Sequence, residues 1–154
     1  LTPRLYHLGS MSLPSCLFED RFAINSVDSG KFDRIGRIRG KSVGFDADLI
    51  LDINNELFPV KEKENLYIGL SSQVSPNPNE IVWDNSGPQT LMDQYDYVMY
   101  GKIYRIEEKL SDRRSLYASF GGLLMSLTAD KNLVGDFSLD MRLYCLIRRS
   151  EDII

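Results

Sequence analysis

Histidine is almost missing from this 154-residue chain; the single copy is His7. It lies in the opening stretch 1–10, which reads as a protease-site and vector remnant ahead of a native start at Met11. Residues 1–10 are therefore set aside, and 11–154 is expected to form one domain. Any site built from that domain alone then excludes Ser-His-Asp, Cys-His and histidine-ligated metal schemes. Cysteine is scarce as well: Cys16 and Cys145 are far apart and belong to no CxxC. Cys145 sits inside a predicted strand, so a reduced, buried thiol is expected, as in the cytosol or nucleus. No apolar run approaches the roughly 20 residues of a membrane span, and no signal peptide precedes Met11, so no membrane partner is expected. Positive charge is in deficit: without Arg4 the 18 basic residues become 17 against 22 acidic ones, a formal charge of −5. A mildly acidic total argues against bulk coating of nucleic acid and leaves room for a local basic patch.

What the chain does contain is period-2 alternation. Residues 95–109 and 115–127 are rich in aromatic and β-branched side chains and flank a polar 110–114 turn, the pattern of a long antiparallel hairpin. In the first arm Tyr95, Tyr97, Met99, Gly101 and Ile103 share one face, and Val98, Tyr100, Tyr104 and Ile106 the other. Both faces are largely apolar, so the strand is expected to be covered by its own core and by something else. Gly121-Gly122 interrupts the second arm, where a bulge or sharp bend would let a sheet coil into a barrel.

Further strands are expected at 17–24, 31–39, 45–53, 65–71 and 141–149, with a polar connection at 128–140 that tucks in Leu133, Val134 and Phe137. No amphipathic helix longer than a turn or two is visible. Residues 72–93 carry Pro76, Pro78 and Pro88 and few periodic apolar residues, which predicts a long Ω-like loop. Trp83, the sole tryptophan, is expected to pin that loop against the barrel.

Candidate chemistry is thin. Lys31, Arg34, Arg37, Arg39 and Lys41 fall within eleven residues and form a candidate contact for a single-stranded nucleic-acid backbone. The blander reading, a solvated strand face balanced by Asp46, Asp48 and Asp52, is favoured because the chain is acidic overall. Those three acids are read as sharing one strand face and pairing with the basic strand, rather than as Mg²⁺ ligands. The glycines of Gly36-Arg37-Ile38-Arg39-Gly40-Lys41-Ser42 have three residues between them where a phosphate-binding P-loop needs four, and a strand follows instead of a helix. Glu107 and Glu108 are adjacent on a strand and point to opposite faces, a poor geometry for a shared substrate. No nucleophile–base pair can be named, so neither an enzymatic site, a cofactor nor a small-molecule substrate is expected.

Asp96-Tyr97-Val98-Met99-Tyr100-Gly101, Gly121-Gly122-Leu123-Leu124-Met125 and Leu146-Ile147-Arg148-Arg149 closely resemble one family, the small OB-fold subunit common to eukaryotic nuclear RNA polymerases I, II and III. The resemblance covers 17–149. It implies an all-β fold, an antiparallel eight-stranded barrel of OB type with a long Ω-like loop. It also implies a nuclear, including nucleolar, non-catalytic subunit docked on the largest subunit of each polymerase. A weak, sequence-independent affinity for single-stranded DNA is implied for the segment matching 28–51. Candidate docking or barrel-bend residues are Tyr97, Met99, Tyr100, Gly101, Gly121, Gly122, Leu123, Leu124 and Met125. Leu123, Leu124 and Met125 either plug the barrel or anchor the partner. The alternative is a free-standing OB-fold protein that binds single-stranded nucleic acid through the basic run and exposed tyrosines.

Overall fold

Alternating burial along each strand shows where the chain folds back on itself. A computed structural model describes residues 13–29, 34–75 and 90–149. Residues 1–10, Lys31, Trp83 and residues 150–154 lie outside the described residues. Eight strands follow in order: β1 (Phe18–Asp28), β2 (Ile35–Ser42), β3 (Asp48–Asn54), β4 (Asn65–Ser71), β5 (Tyr97–Lys109), β6 (Arg113–Phe120), β7 (Leu123–Asp130) and β8 (Arg142–Arg149). They close into a barrel in the order β1-β2-β3-β7-β6-β5-β8-β4, with β4 returning to β1 and all neighbours antiparallel. This is the all-β, eight-stranded antiparallel barrel that the resemblance implied. Closure gives every described strand a neighbour on both sides, which protects the sheet from recruiting foreign strands.

The barrel interior is filled by the inward residues of every strand. Phe22, Ile24, Ile38, Leu51, Ile53, Leu66, Leu70, Ile103, Leu116, Met125, Leu127 and Leu143 are the largest fully buried side chains. Each such side chain contributes about 1.5–3 kcal/mol through the apolar surface it removes from water. Val134 and Phe137 seal one connection, as expected, with Leu133 packed against them only partly buried. Cys145 is buried and free, and burial pushes its thiol up to about 12.

Four expectations need correction. Tyr95 does not share the inner face with Met99; it precedes β5 and packs in an outer cluster with Val98. The second arm of the central hairpin is two strands, not one bent strand. Gly121 and Gly122 have φ of 66° and 100° and form a two-residue turn between Phe120 and Leu123. Two consecutive positive-φ residues match the twist of a tight hairpin and favour glycine. Ile106 does not share the outer face with Tyr104. A register shift between Ile103 and Arg105 inserts an extra residue, which returns Ile106 to the core side, opposite Leu116. Asp46 is not on the strand face with Asp48 and Asp52; it sits in the β2–β3 turn at φ 55°.

At Val98 the outer face of β5 is covered by the chain itself, while Tyr100 and Tyr104 stay exposed. Val74, Leu91 and Leu146 form a small separate cluster, flanked by Cys16, Tyr95, Val98 and Tyr144. Leu91 begins a 3-10 helix, Leu91–Gln94, closed by a capping box between Thr90 and Asp93. The Leu91 N–H donates to the Val74 carbonyl at 2.7 Å, so the two described ends of the 72–93 segment are tied together on the outside of β8. Tyr95 adds a 2.5 Å hydrogen bond to Glu19 on β1.

Candidate functional site

β2 places Arg37, Arg39 and Lys41 outward, while Gly36, Ile38 and Gly40 face inward. β3 lies beside it in a register that sets Arg37 opposite Asp52 and Lys41 opposite Asp48. At Arg37 and Lys41 the two strands neutralise one another, while Arg39 lies opposite Ile50 and has no acidic partner among the described residues. Arg37 grips Asp52 with two bonds, Nε at 2.6 Å and Nη2 at 3.0 Å. Lys41 lies 2.9 Å from Asp46 and 3.2 Å from Asp48. Arg113 on β6 reaches the same two acids, at 3.9 and 3.0 Å. Arg34 stands 3.7 Å from Glu56, with both side chains in water. Hydrogen bonds from Lys41 hold the Asp46 carboxyl below the usual carboxylate range. The acids thus serve the cross-strand pairing read from the sequence.

Asp52 differs from the other acids. At 5% exposure it is the one buried charged side chain among the described residues. Desolvation pushes its carboxyl upward, but bonds from Arg37 and from the Leu124 backbone N–H outweigh that and hold it low.

The nine docking or bend candidates separate into two groups. Met99, Gly101 and Met125 face the barrel interior, and Leu123 packs against the core. Tyr97 is half-buried: its ring stacks on Phe58 at 5.3 Å and its hydroxyl accepts the Asn54 N–H at 2.9 Å. Burial raises the Tyr97 hydroxyl, and the bond from Asn54 partly offsets this. Tyr100, Gly121, Gly122 and Leu124 are on the outside. Tyr100 is 49% exposed and its ring lies 4.6 Å from that of Tyr144. Leu124, 39% exposed, follows the turn directly. Of the three residues Leu123 to Met125, Met125 is the plug and Leu124 the outward side chain.

Sequence reasoning did not find the positions that fasten the barrel's outer face. Arg149 sits over the Phe58 ring at 4.3 Å, pairs with Glu64 and donates to the Pro59 carbonyl at 2.6 Å. Arg148 stacks over Tyr67 at 4.0 Å. A paired arginine motif was visible in the sequence, but its partners lie some 80 to 90 positions away in the chain.

A model of the RNA polymerase Rpb8 family matches residues 19–149. The chain belongs to that family. A Caenorhabditis briggsae relative, described as a probable DNA-directed RNA polymerases I, II, and III subunit RPABC3, is 35% identical over 88% of this chain and 97% of its own length. The Saccharomyces cerevisiae subunit RPABC3 of polymerases I, II, and III is 36% identical over 89% of this chain and all of its own. An Arabidopsis thaliana relative, 34% identical over 86% and 95%, carries the name subunit 8B of polymerases II, IV and V. The family's members are accessory, non-catalytic subunits of DNA-directed RNA polymerase.

Proposed function

We propose that this chain is a nuclear subunit shared by RNA polymerases I, II and III, nucleolus included, that docks on the largest subunit of each and supports assembly. The observation that carries this reading is the family match over residues 19–149, joined to relatives named as common subunits. Among the candidates, Tyr100 and the Gly121 to Leu124 tip are the ones with surface to offer a partner. An aromatic and an aliphatic group beside a turn without side chains is a composition suited to the core of a protein interface.

Weak single-stranded DNA affinity through Arg34, Arg37, Arg39 and Lys41, with Lys31, remains part of the proposal as a side activity. Ion pairs at Arg34, Arg37 and Lys41 leave Arg39 as the one uncompensated charge of this run among the described residues, which speaks against a free-standing nucleic-acid binder. The test is affinity capture from nuclear extract with the 11–154 chain, read by mass spectrometry. Recovery of the largest subunits of several polymerases is the expected result. Retention of nucleic acid with no polymerase subunit would reverse the assignment.

A further inference from the structure

The β3–β7 seam is only partly laddered. Asp48 to Leu51 pair with Thr128 to Met125, yet β3 runs on to Asn54 and β7 starts at Leu123. Beyond Leu51 the bonds are made by side chains. Asp52 Oδ2 accepts the Leu124 N–H at 3.0 Å, and the Tyr97 hydroxyl accepts the Asn54 N–H. The β6–β7 tip is otherwise held by its own hairpin and by Ser119 Oγ, which accepts the Gly122 N–H at 3.1 Å.

We infer that Asp52, clamped by Arg37, is a positioning residue that sets the Gly121–Leu124 tip against β3 and so fixes where Leu124 meets a partner. This rests on the docking reading given above. The clamp works because the carboxylate is spoken for on three sides. Arg37 Nε on Oδ1 and Nη2 on Oδ2 fix the orientation of its plane, and the second acceptor direction of Oδ2 meets the Leu124 N–H. A bidentate arginine restricts a carboxylate more than a lysine would, because the guanidinium fork allows one coplanar arrangement. Arg37 therefore acts through Asp52, and its place in the basic run is explained without nucleic acid.

The experiment compares Asp52→Ala, Asp52→Asn and Arg37→Gln in the whole chain, with Leu124→Asp as the docking control. Amide hydrogen exchange is read residue by residue, and capture of a polymerase largest subunit is read in parallel. Asp52→Ala removes the acceptor, so exchange at Leu124 should rise roughly fivefold or more, the scale of one lost hydrogen bond. Asp52→Asn keeps a carbonyl acceptor and should rise less, while Leu116 and Ile147 stay protected in both. Arg37→Gln leaves the acceptor in place and covers the case in which Asp52→Ala does not fold. It should loosen Leu124 without exposing the core. Capture should fall in the order of Leu124 exchange. Unchanged exchange at Leu124, or an equal rise across the whole barrel, would overturn the inference. Capture lost in Leu124→Asp but kept when the clamp is broken would overturn the positioning role and leave docking intact. Capture kept in Leu124→Asp would overturn the docking reading itself, while the exchange data would still decide whether the clamp exists.

Discussion

A β-carbon built on Gly101 would lie 1.9 Å from the Ser119 carbonyl oxygen and 2.7 Å from the Phe120 α-carbon. Both contacts are backbone, so neither can swing aside as a flexible side chain would. Gly101 is present because β5 and β6 approach too closely there for any other residue. Gly101→Ala should therefore destabilise the barrel by about 3 kcal/mol, the upper range for overpacking, measured as a shifted midpoint in urea unfolding. A variant as stable as the parent would mean that the strands can separate at little cost. Gly121 and Gly122 show the opposite cause: nothing lies within 4 Å of an added β-carbon, and only their positive φ favours glycine. One motif thus contains a glycine selected by space, and another contains two selected by backbone angle. Sequence alone makes them look alike.

At the scale of elements, the β6–β7 hairpin depends on that two-residue turn. A β-branched side chain at φ 66° is strained both in the backbone and at its own rotamer. Gly121→Val should cost about 1–2 kcal/mol, with exchange rising near the tip before the core, and should reduce incorporation into polymerase. Normal incorporation would detach the turn from assembly. The bulge in β5 matters equally. By changing register between Ile103 and Arg105 it lets one strand serve the interior with Met99, Gly101 and Ile103 and again with Ile106. Period-2 reading was right from Tyr97 to Tyr104 and failed at Ile106, because an inserted residue inverts every later side chain. The strand's apolar outer face was legible as needing a cover. That Val74, Leu91 and Cys16 from the same chain cover it at Val98, and leave Tyr100 and Tyr104 exposed, was not, since nothing local marks where a loop will settle.

For the whole molecule, charge placement decides more than charge total. Arg37, Arg39 and Lys41 lie outward on β2, but β3, the turn before it and β6 bring Asp46, Asp48, Asp52 and Arg113 into the same network. Single-stranded DNA should accordingly bind the isolated chain only weakly, at micromolar dissociation constants or above in physiological salt, with a shallow salt slope because few phosphate contacts release counterions. Fluorescence anisotropy across a salt series would measure this. Tight binding with a steep slope would mean that the ion pairs open for nucleic acid and would revive the free-standing reading. The family match, meanwhile, extends over the barrel from β1 to β8, in keeping with a closed structure whose first and fourth strands must meet to form at all.

Alternation, turn composition and three short motifs were enough by themselves to specify an all-β barrel, most of its strands and its family. These features are local: each strand's inside and outside follow from a period of two, and each motif spans a few adjacent residues. Tertiary structure alone decided that Met125 fills the core while Leu124 faces out, that Gly101 is a point of strand contact, and that Arg37 belongs to Asp52. Those outcomes depend on register between strands distant in sequence, where a shift of one residue exchanges the two faces. Register is set by the closed barrel as a whole.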